Sequence, residues 1–182
     1  MEAVLSMRHA RDFSRKAFPV LRKPEAEDGP RVWDLVRSCK PLDENSMYCN
    51  LIQCDHFRDT CVVAELNDEV VGWISAYVLP YDTDTVFVWQ VAVSEAARGT
   101  GLGSIMLSSL LRRDACRDIK SLQTTITRDN MASWALFRKF SQARGAVLKS
   151  QAHFTQTQHF RDRQSTEYMV TIDLSEATRL AA

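Results

Sequence analysis

Val86-Phe87-Val88-Trp89-Gln90-Val91-Ala92-Val93 runs, through Ser94 to Ala97, into Arg98-Gly99-Thr100-Gly101-Leu102-Gly103. The valine-rich first part is apolar at Val86, Phe87, Val88, Trp89, Val91, Ala92 and Val93. That pattern predicts a central strand over Thr85 to Val93, covered on both sides. Beyond the glycines, Leu102, Ile105, Met106, Leu110 and Leu111 mark one face of a helix. A buried strand, a glycine-rich turn and an amphipathic helix in direct succession point to an α/β (α+β) chain.

The flanks complete the outline. Upstream, Cys61 to Leu66 and Val70 to Leu79 read as strands joined by an Asn67-Asp68 turn, a hairpin broken at Pro80 to Asp84. Before it, Val32, Trp33, Val36 and Cys39 recur at helical spacing behind a loop rich in Pro24, Gly29 and Pro30. That helix should end before Pro41, and a second short helix covers Tyr48 to His56. Downstream, Leu122 to Ile126 is a strand, and Trp134, Phe137 and Phe140 mark a helix stopped near Gly145. Tyr168, Val170 and Ile172 alternate with Glu167, Met169 and Thr171 in a final half-buried strand. We divide the chain into a flexible N-terminal extension (1–18), a single domain (19–174) and a C-terminal tail (175–182).

Composition narrows the function. The 182 residues suit one domain with a substantial core. Twenty-three basic residues balance 23 acidic ones, which argues against a nucleic-acid partner. No apolar run reaches the roughly 20 residues a membrane span needs. Arg8, Arg11, Arg15 and Lys16 come without an apolar stretch, so the N-terminus does not read as a secretory signal. The five cysteines are odd in number and scattered, which suggests reduced thiols and a cytoplasmic location. Cys54-Asp55-His56 lacks a second ligand pair, so no metal is expected.

The glycine turn carries the first chemistry. Glycines there can take positive φ and let backbone approach a ligand. The following helix begins with free N–H groups at the positive end of its dipole, and together they form a pyrophosphate cradle. The spacing is not that of a P-loop, which needs Lys-Ser/Thr where Ser104-Ile105 stands. Nor is it a dinucleotide fingerprint, because the glycines fall at 99, 101 and 103, mid-chain and after a hairpin.

Arg98, Gly101 and Gly103, in the pattern R-x-x-G-x-G, resemble the acetyl-CoA motif of the GNAT acetyltransferases. The resemblance implies a GNAT fold, a mixed central β-sheet flanked by helices, with acetyl-CoA as co-substrate. It implies cofactor contacts from Val91, Ala92, Val93, Arg98, Gly99, Thr100, Gly101, Leu102, Gly103, Ser104 and Asn130. The strand at Gln90 to Val93 would splay and pair with the pantetheine arm, and a backbone N–H there would polarise the thioester carbonyl. Asn130 is equally well placed as a helix N-cap. Many GNAT enzymes place a tyrosine in the next helix to protonate the departing thiolate; the matching position here is Phe137.

Further blocks resemble the diaminobutyrate acetyltransferases of the ectoine pathway. They are Pro41 to Tyr48, His56 to Glu65, Val86 to Val93, Asn130 to Phe137, and Glu167-Tyr168. This implies acetyl transfer to the γ-amino group of L-2,4-diaminobutyrate by a homodimeric enzyme. Asp43 and Glu167 would hold ammonium groups or accept a proton, Trp89 would face the acceptor, and Asn45, Ser46 and Tyr48 would offer polar contacts. On local grounds Asp43 could instead cap a helix, Glu167 be a solvated strand residue and Trp89 belong to the core. Another small diamine, a protein amine, or a non-catalytic CoA-binding role are the alternative readings.

Overall fold

The structure, a computed structural model, describes residues 18–175. The N-terminal extension and C-terminal tail expected from the sequence lie almost wholly outside the described residues.

Seven strands form one sheet. They are β1 (Val20–Arg22), β2 (Val62–Leu66), β3 (Glu69–Leu79), β4 (Asp82–Val93), β5 (Ser121–Thr127), β6 (Leu148–Phe154) and β7 (Glu167–Asp173). Their order is β1-β2-β3-β4-β5-β7-β6. Among the described residues only β4 and β5 pair in parallel, so the sheet is mixed. Two helices, α1 (Gly29–Ser38) and α2 (Met47–Asp55), cover one face. There Val32, Val36 and Cys54 pack with Val63, Trp73 and Ala92. The other face carries α3 (Leu102–Leu111) and α4 (Met131–Ala143). Met106, Leu107, Leu110, Phe137 and Phe140 bury it against Val86, Val88, Leu122 and Ile172.

Several elements depart from the sequence reading. Helix α1 starts at Gly29 with Pro30 in its first turn, not after that pair; proline's missing N–H costs nothing at a helix start. Strand β1, too short to show a period, was not foreseen. It is tied down by Arg22, whose guanidinium meets Asp28 at 2.6 Å and Glu65 at 2.5 Å. Edge strand β6 is exposed almost throughout, so it shows no apolar alternation. The hairpin break is confined to Pro80-Tyr81, because Leu79 already pairs with Asp82.

The correction with most consequence concerns β4. The β3–β4 register slips so that Ser75 faces Gln90 and Ala76 faces Val88, leaving Trp89 unpaired. Such a bulge reverses the alternation of faces. Val86 and Val88 therefore share the α3–α4 side with Val91 and Val93, while Ala92 joins the α1–α2 core. Trp89 is 49% exposed. The strand is thus not covered on both sides at its centre.

Candidate active site

Strands β4 and β5 pair only at Thr85–Ser121, Val86–Leu122 and Phe87–Gln123. Beyond that, β4 stays with β3 as far as Val93–Gly72, and β5 stays with β7 as far as Thr127–Glu167. The two parallel strands therefore part, and two cavities occupy the opening. One, of about 470 Å³, runs along the glycine turn. The other, of about 500 Å³, lies toward the start of β7. Pro41, Leu42, Val91, Asn130 and Ser133 line both, so the two spaces meet.

The first cavity is built for an anion. Gly99 and Gly101 have φ of 76° and 83°, and a Cβ at either would meet nothing within 4 Å. Among the described residues, no backbone N–H from Gly99 to Ser104 donates a backbone hydrogen bond; the next donor is Ile105, to Gly101 O at 3.1 Å. Six successive donors thus remain for a ligand at the positive end of α3. Lys40, Arg98 and Lys139 line this cavity, and among the described residues no carboxylate does. These features fit a pyrophosphate-bearing cofactor such as acetyl-CoA.

The expected cofactor residues divide. Val91, Val93, Arg98, Gly99, Gly101, Leu102, Gly103, Ser104 and Asn130 line the cleft. Ala92 is fully buried on the opposite face, which leaves only its backbone for a ligand. Thr100 stands outside the cleft and its hydroxyl donates to Ala97 O at 2.7 Å. Gly103 has a packing role as well: a Cβ there would lie 3.0 Å from Leu136 Cδ1 on α4. Asn130 lines both cavities, and its Oδ1 accepts the Ser133 N–H at 3.1 Å, capping α4. Trp134 anchors the same helix start by donating from Nε1 to Thr127 O at 3.1 Å.

The second cavity has the opposite charge. Asp43, Asp129 and Glu167 line it, and among the described residues no lysine, arginine or histidine does. Trp89 and Asn45 line it too, and Phe137 forms part of its wall. Glu167 opens β7, half-buried, and its Oε2 has no hydrogen-bond partner among the described residues. Burial pushes its pKa up, a Thr125 hydrogen bond opposes the rise, and the charges of Asp43 and Asp129 add to it. An unpartnered buried carboxylate oxygen in a cavity suits a cationic ligand.

Other expected contacts fall elsewhere. Ser46 lines neither cavity; it is the N-cap of α2, accepting the Cys49 N–H at 3.1 Å. Asp43 is therefore not that cap. Tyr48, on the solvent side of α2, is 71% exposed and lines neither cavity. Sequence reasoning also missed Gln90. Buried on β4, it donates from Nε2 to Asp43 O at 2.9 Å and accepts from Asn45 Nδ2 at 3.2 Å. The Trp33 indole N–H holds Asn45 O at 2.9 Å. This clamp fixes the Asp43–Asn45 loop against the central strand. Its signal in the sequence was a single amide inside an apolar strand.

Parted parallel strands that feed such a turn suit an acyl-CoA ligand, and comparison gives the class. The model of the "Acetyltransferase (GNAT) family" matches residues 29–141, and the chain belongs to that family. Within it, the chain is 46% identical over 160 residues to the L-2,4-diaminobutyric acid acetyltransferase of Methylotuvimicrobium alcaliphilum, covering 87% of this chain and 93% of that one. It is 44% identical over 158 residues to the enzyme of the same name from Vibrio cholerae, covering 87% and 91%. The solved diaminobutyrate acetyltransferase EctA of Paenibacillus lautus, in complex with L-2,4-diaminobutyric acid and coenzyme A, superposes with a TM-score of 0.82. That match has 36% identity and covers 86% of this chain and 95% of that one.

Proposed function

We propose that this protein transfers acetyl from acetyl-CoA to the γ-amino group of L-2,4-diaminobutyrate, giving N4-acetyl-L-2,4-diaminobutyrate. One observation carries the reading: two joined cavities of opposite charge, a cationic one at a helix N-terminus and one lined, among the described residues, by three carboxylates and no cation. The first suits phosphates; the second suits an acceptor with two ammonium groups. The named relatives support the particular diamine.

Acetyl-CoA supplies an activated acyl carbonyl when bound. The N–H groups from Gly99 to Ser104, with Arg98, would hold its pyrophosphate. Backbone of β4 beyond the bulge, at Val91 to Val93, would pair with the pantetheine arm, and one N–H there would stabilise the oxyanion that develops. Asp43, held by Gln90, and Glu167 would bind the acceptor's ammonium groups, with Trp89 against its chain. Glu167 is also the better proton acceptor, because burial raises its affinity for a proton. Placing amine and carbonyl together supplies much of the acceleration.

We also place the enzyme in the cytoplasm, a reading supported by five free cysteines. Among the described residues no helix is long and apolar enough to cross a membrane. The exposed edge strand β6 leaves room for the homodimer implied by the resemblance.

The charge of the acceptor cavity also suits diamines that lack a carboxylate, which sets the test. Thiol release from acetyl-CoA is measured with diaminobutyrate, ornithine, 1,3-diaminopropane and an N-terminal peptide, and the product is assigned by NMR. Diaminobutyrate should have the highest kcat/KM and carry acetyl on the γ-nitrogen. Preference for the peptide, or acetyl mainly on the α-nitrogen, would refute the assignment.

A further inference from the structure

Acyl transfer to an amine leaves the electron pair of the broken C–S bond on sulfur, and a hydrogen-bond donor there would stabilise it. The chain has four tyrosines, Tyr48, Tyr77, Tyr81 and Tyr168. None lines either cavity. Tyr168 is engaged elsewhere, accepting from Arg128 Nη2 at 2.8 Å. Phe137 stands where a hydroxyl would be useful and has none. Cys39 lines the cofactor cavity but already donates from Sγ to Val93 O at 3.3 Å.

The thioester must lie where the cofactor cavity meets the acceptor cavity. Pro41, Leu42, Val91, Asn130 and Ser133 line both. Of these, only Ser133 carries a hydroxyl. It sits on α4 one turn before Phe137 and is half-buried. Its backbone N–H is held by Asn130 Oδ1, and its Oγ has no hydrogen-bond partner among the described residues. The cap fixes the backbone and leaves the hydroxyl free to turn.

We propose that Ser133 is a catalytic residue that donates a hydrogen bond from Oγ to the CoA sulfur as the thioester is cleaved. This rests on the acetyl-transfer reading above, but not on which amine is the acceptor. The neutral acceptor nitrogen forms the N–C bond while the C–S bond breaks. The electron pair stays on sulfur, and the nitrogen sheds its extra proton toward Glu167. Ser133 keeps its own proton, and the thiolate is protonated by water once CoA departs. A hydroxyl is too weak an acid to give its proton to a thiolate, but a hydrogen bond to a charged acceptor is among the stronger ones.

The test separates binding from turnover. The thiol of CoA bound to the protein without acceptor is titrated by the ultraviolet absorbance of its thiolate. If Ser133 meets the sulfur, Ser133→Ala should raise the bound thiol's pKa by about one unit. CoA affinity at a pH where the thiol stays protonated should remain within about twofold. Ser133→Thr keeps the hydroxyl and should titrate as the unaltered protein does. The kcat with any accepted amine should fall roughly tenfold in Ser133→Ala, with little change in the KM for acetyl-CoA. An unchanged thiol titration in folded Ser133→Ala, whatever its kcat, would overturn the proposal. So would an equal loss in Ser133→Thr, which would mark a packing role. Failure of the diaminobutyrate assignment would show in the acceptor panel and leave this titration unaffected.

Discussion

Replacing Gly101 by valine tests the cofactor assignment most directly. Gly101 holds φ of 83° as the N-cap of α3. A left-handed residue with a Cβ costs about 1–2 kcal/mol, and a β-branched one sits at the upper end. In a chain this size that corresponds to a melting temperature lower by about 2–8 °C. Packing adds nothing, because a Cβ at Gly101 meets no atom within 4 Å. The side chain would instead project into the open space beside the unpartnered N–H groups. Denying the pyrophosphate even one charge-assisted hydrogen bond costs about 1.5–3 kcal/mol, a rise in Kd of roughly ten- to two-hundred-fold. Calorimetric titration with CoA measures this, beside a thermal melt. Gly103→Ala is the control: its Cβ would press on Leu136 Cδ1 at 3.0 Å. That variant should change stability by no more than about 1 kcal/mol, the helix gain of alanine opposing the contact, while keeping CoA affinity within a few-fold. An unchanged Kd in folded Gly101→Val would remove the turn from the cofactor site.

The acids and one ion-pair cluster give further expectations. Asp43→Asn and Glu167→Gln should each lower kcat/KM for diaminobutyrate by about one to two orders of magnitude, leaving acetyl-CoA affinity within a few-fold. Silence in both would take these residues out of the site, and a helix-cap explanation of Asp43 is already excluded because Ser46 is the cap. With the Glu167 pKa raised by burial, the acid limb of kcat/KM should lie above the ordinary glutamate range and vanish in Glu167→Gln. Asp28 sets the acid stability. Burial works to raise its pKa, but hydrogen bonds from Arg22, the Glu25 N–H and Arg31 hold it down to about 2, from 3.8. A carboxylate depressed in the fold stabilises fully above its unfolded value and loses that contribution as pH falls through the folded one. Melting temperatures should therefore drop between pH 3.8 and about 2, by an amount equivalent to about 2 kcal/mol. Asp28→Asn should lack this drop; a parallel fall in both proteins would count against the cluster.

The sequence by itself determined the elements that repeat or stand out locally. The run Val86 to Val93, the glycines at 99, 101 and 103, and the stripe Leu102 to Leu111 fix a strand, a turn and a helix by periodicity and backbone freedom alone. They mark out the proposed phosphate site, whose proposed ligands are backbone groups contributed by consecutive residues. Asp43, Trp89 and Glu167 were legible only as candidates, since a lone acid or tryptophan reads the same on a surface, in a core or in a site. Tertiary structure places all three on one cavity. The bulge at Trp89 turns its ring out of the core, although no residue within the strand announces a register slip against β3. The β7–β5 pairing sets Glu167 opposite Thr127, in the same cavity as Asp43 and Asp129, residues that lie far apart in the chain. Gln90 looked like an intrusion in an apolar strand until the loop it clamps was seen beside it. Ser46 and Tyr48, neighbours of Asp43 in sequence, turn away with α2 because a helix spreads successive side chains around its axis. Local chemistry therefore pointed to the proposed cofactor side. The proposed acceptor side is an assembly of distant residues, and only the fold brings them together.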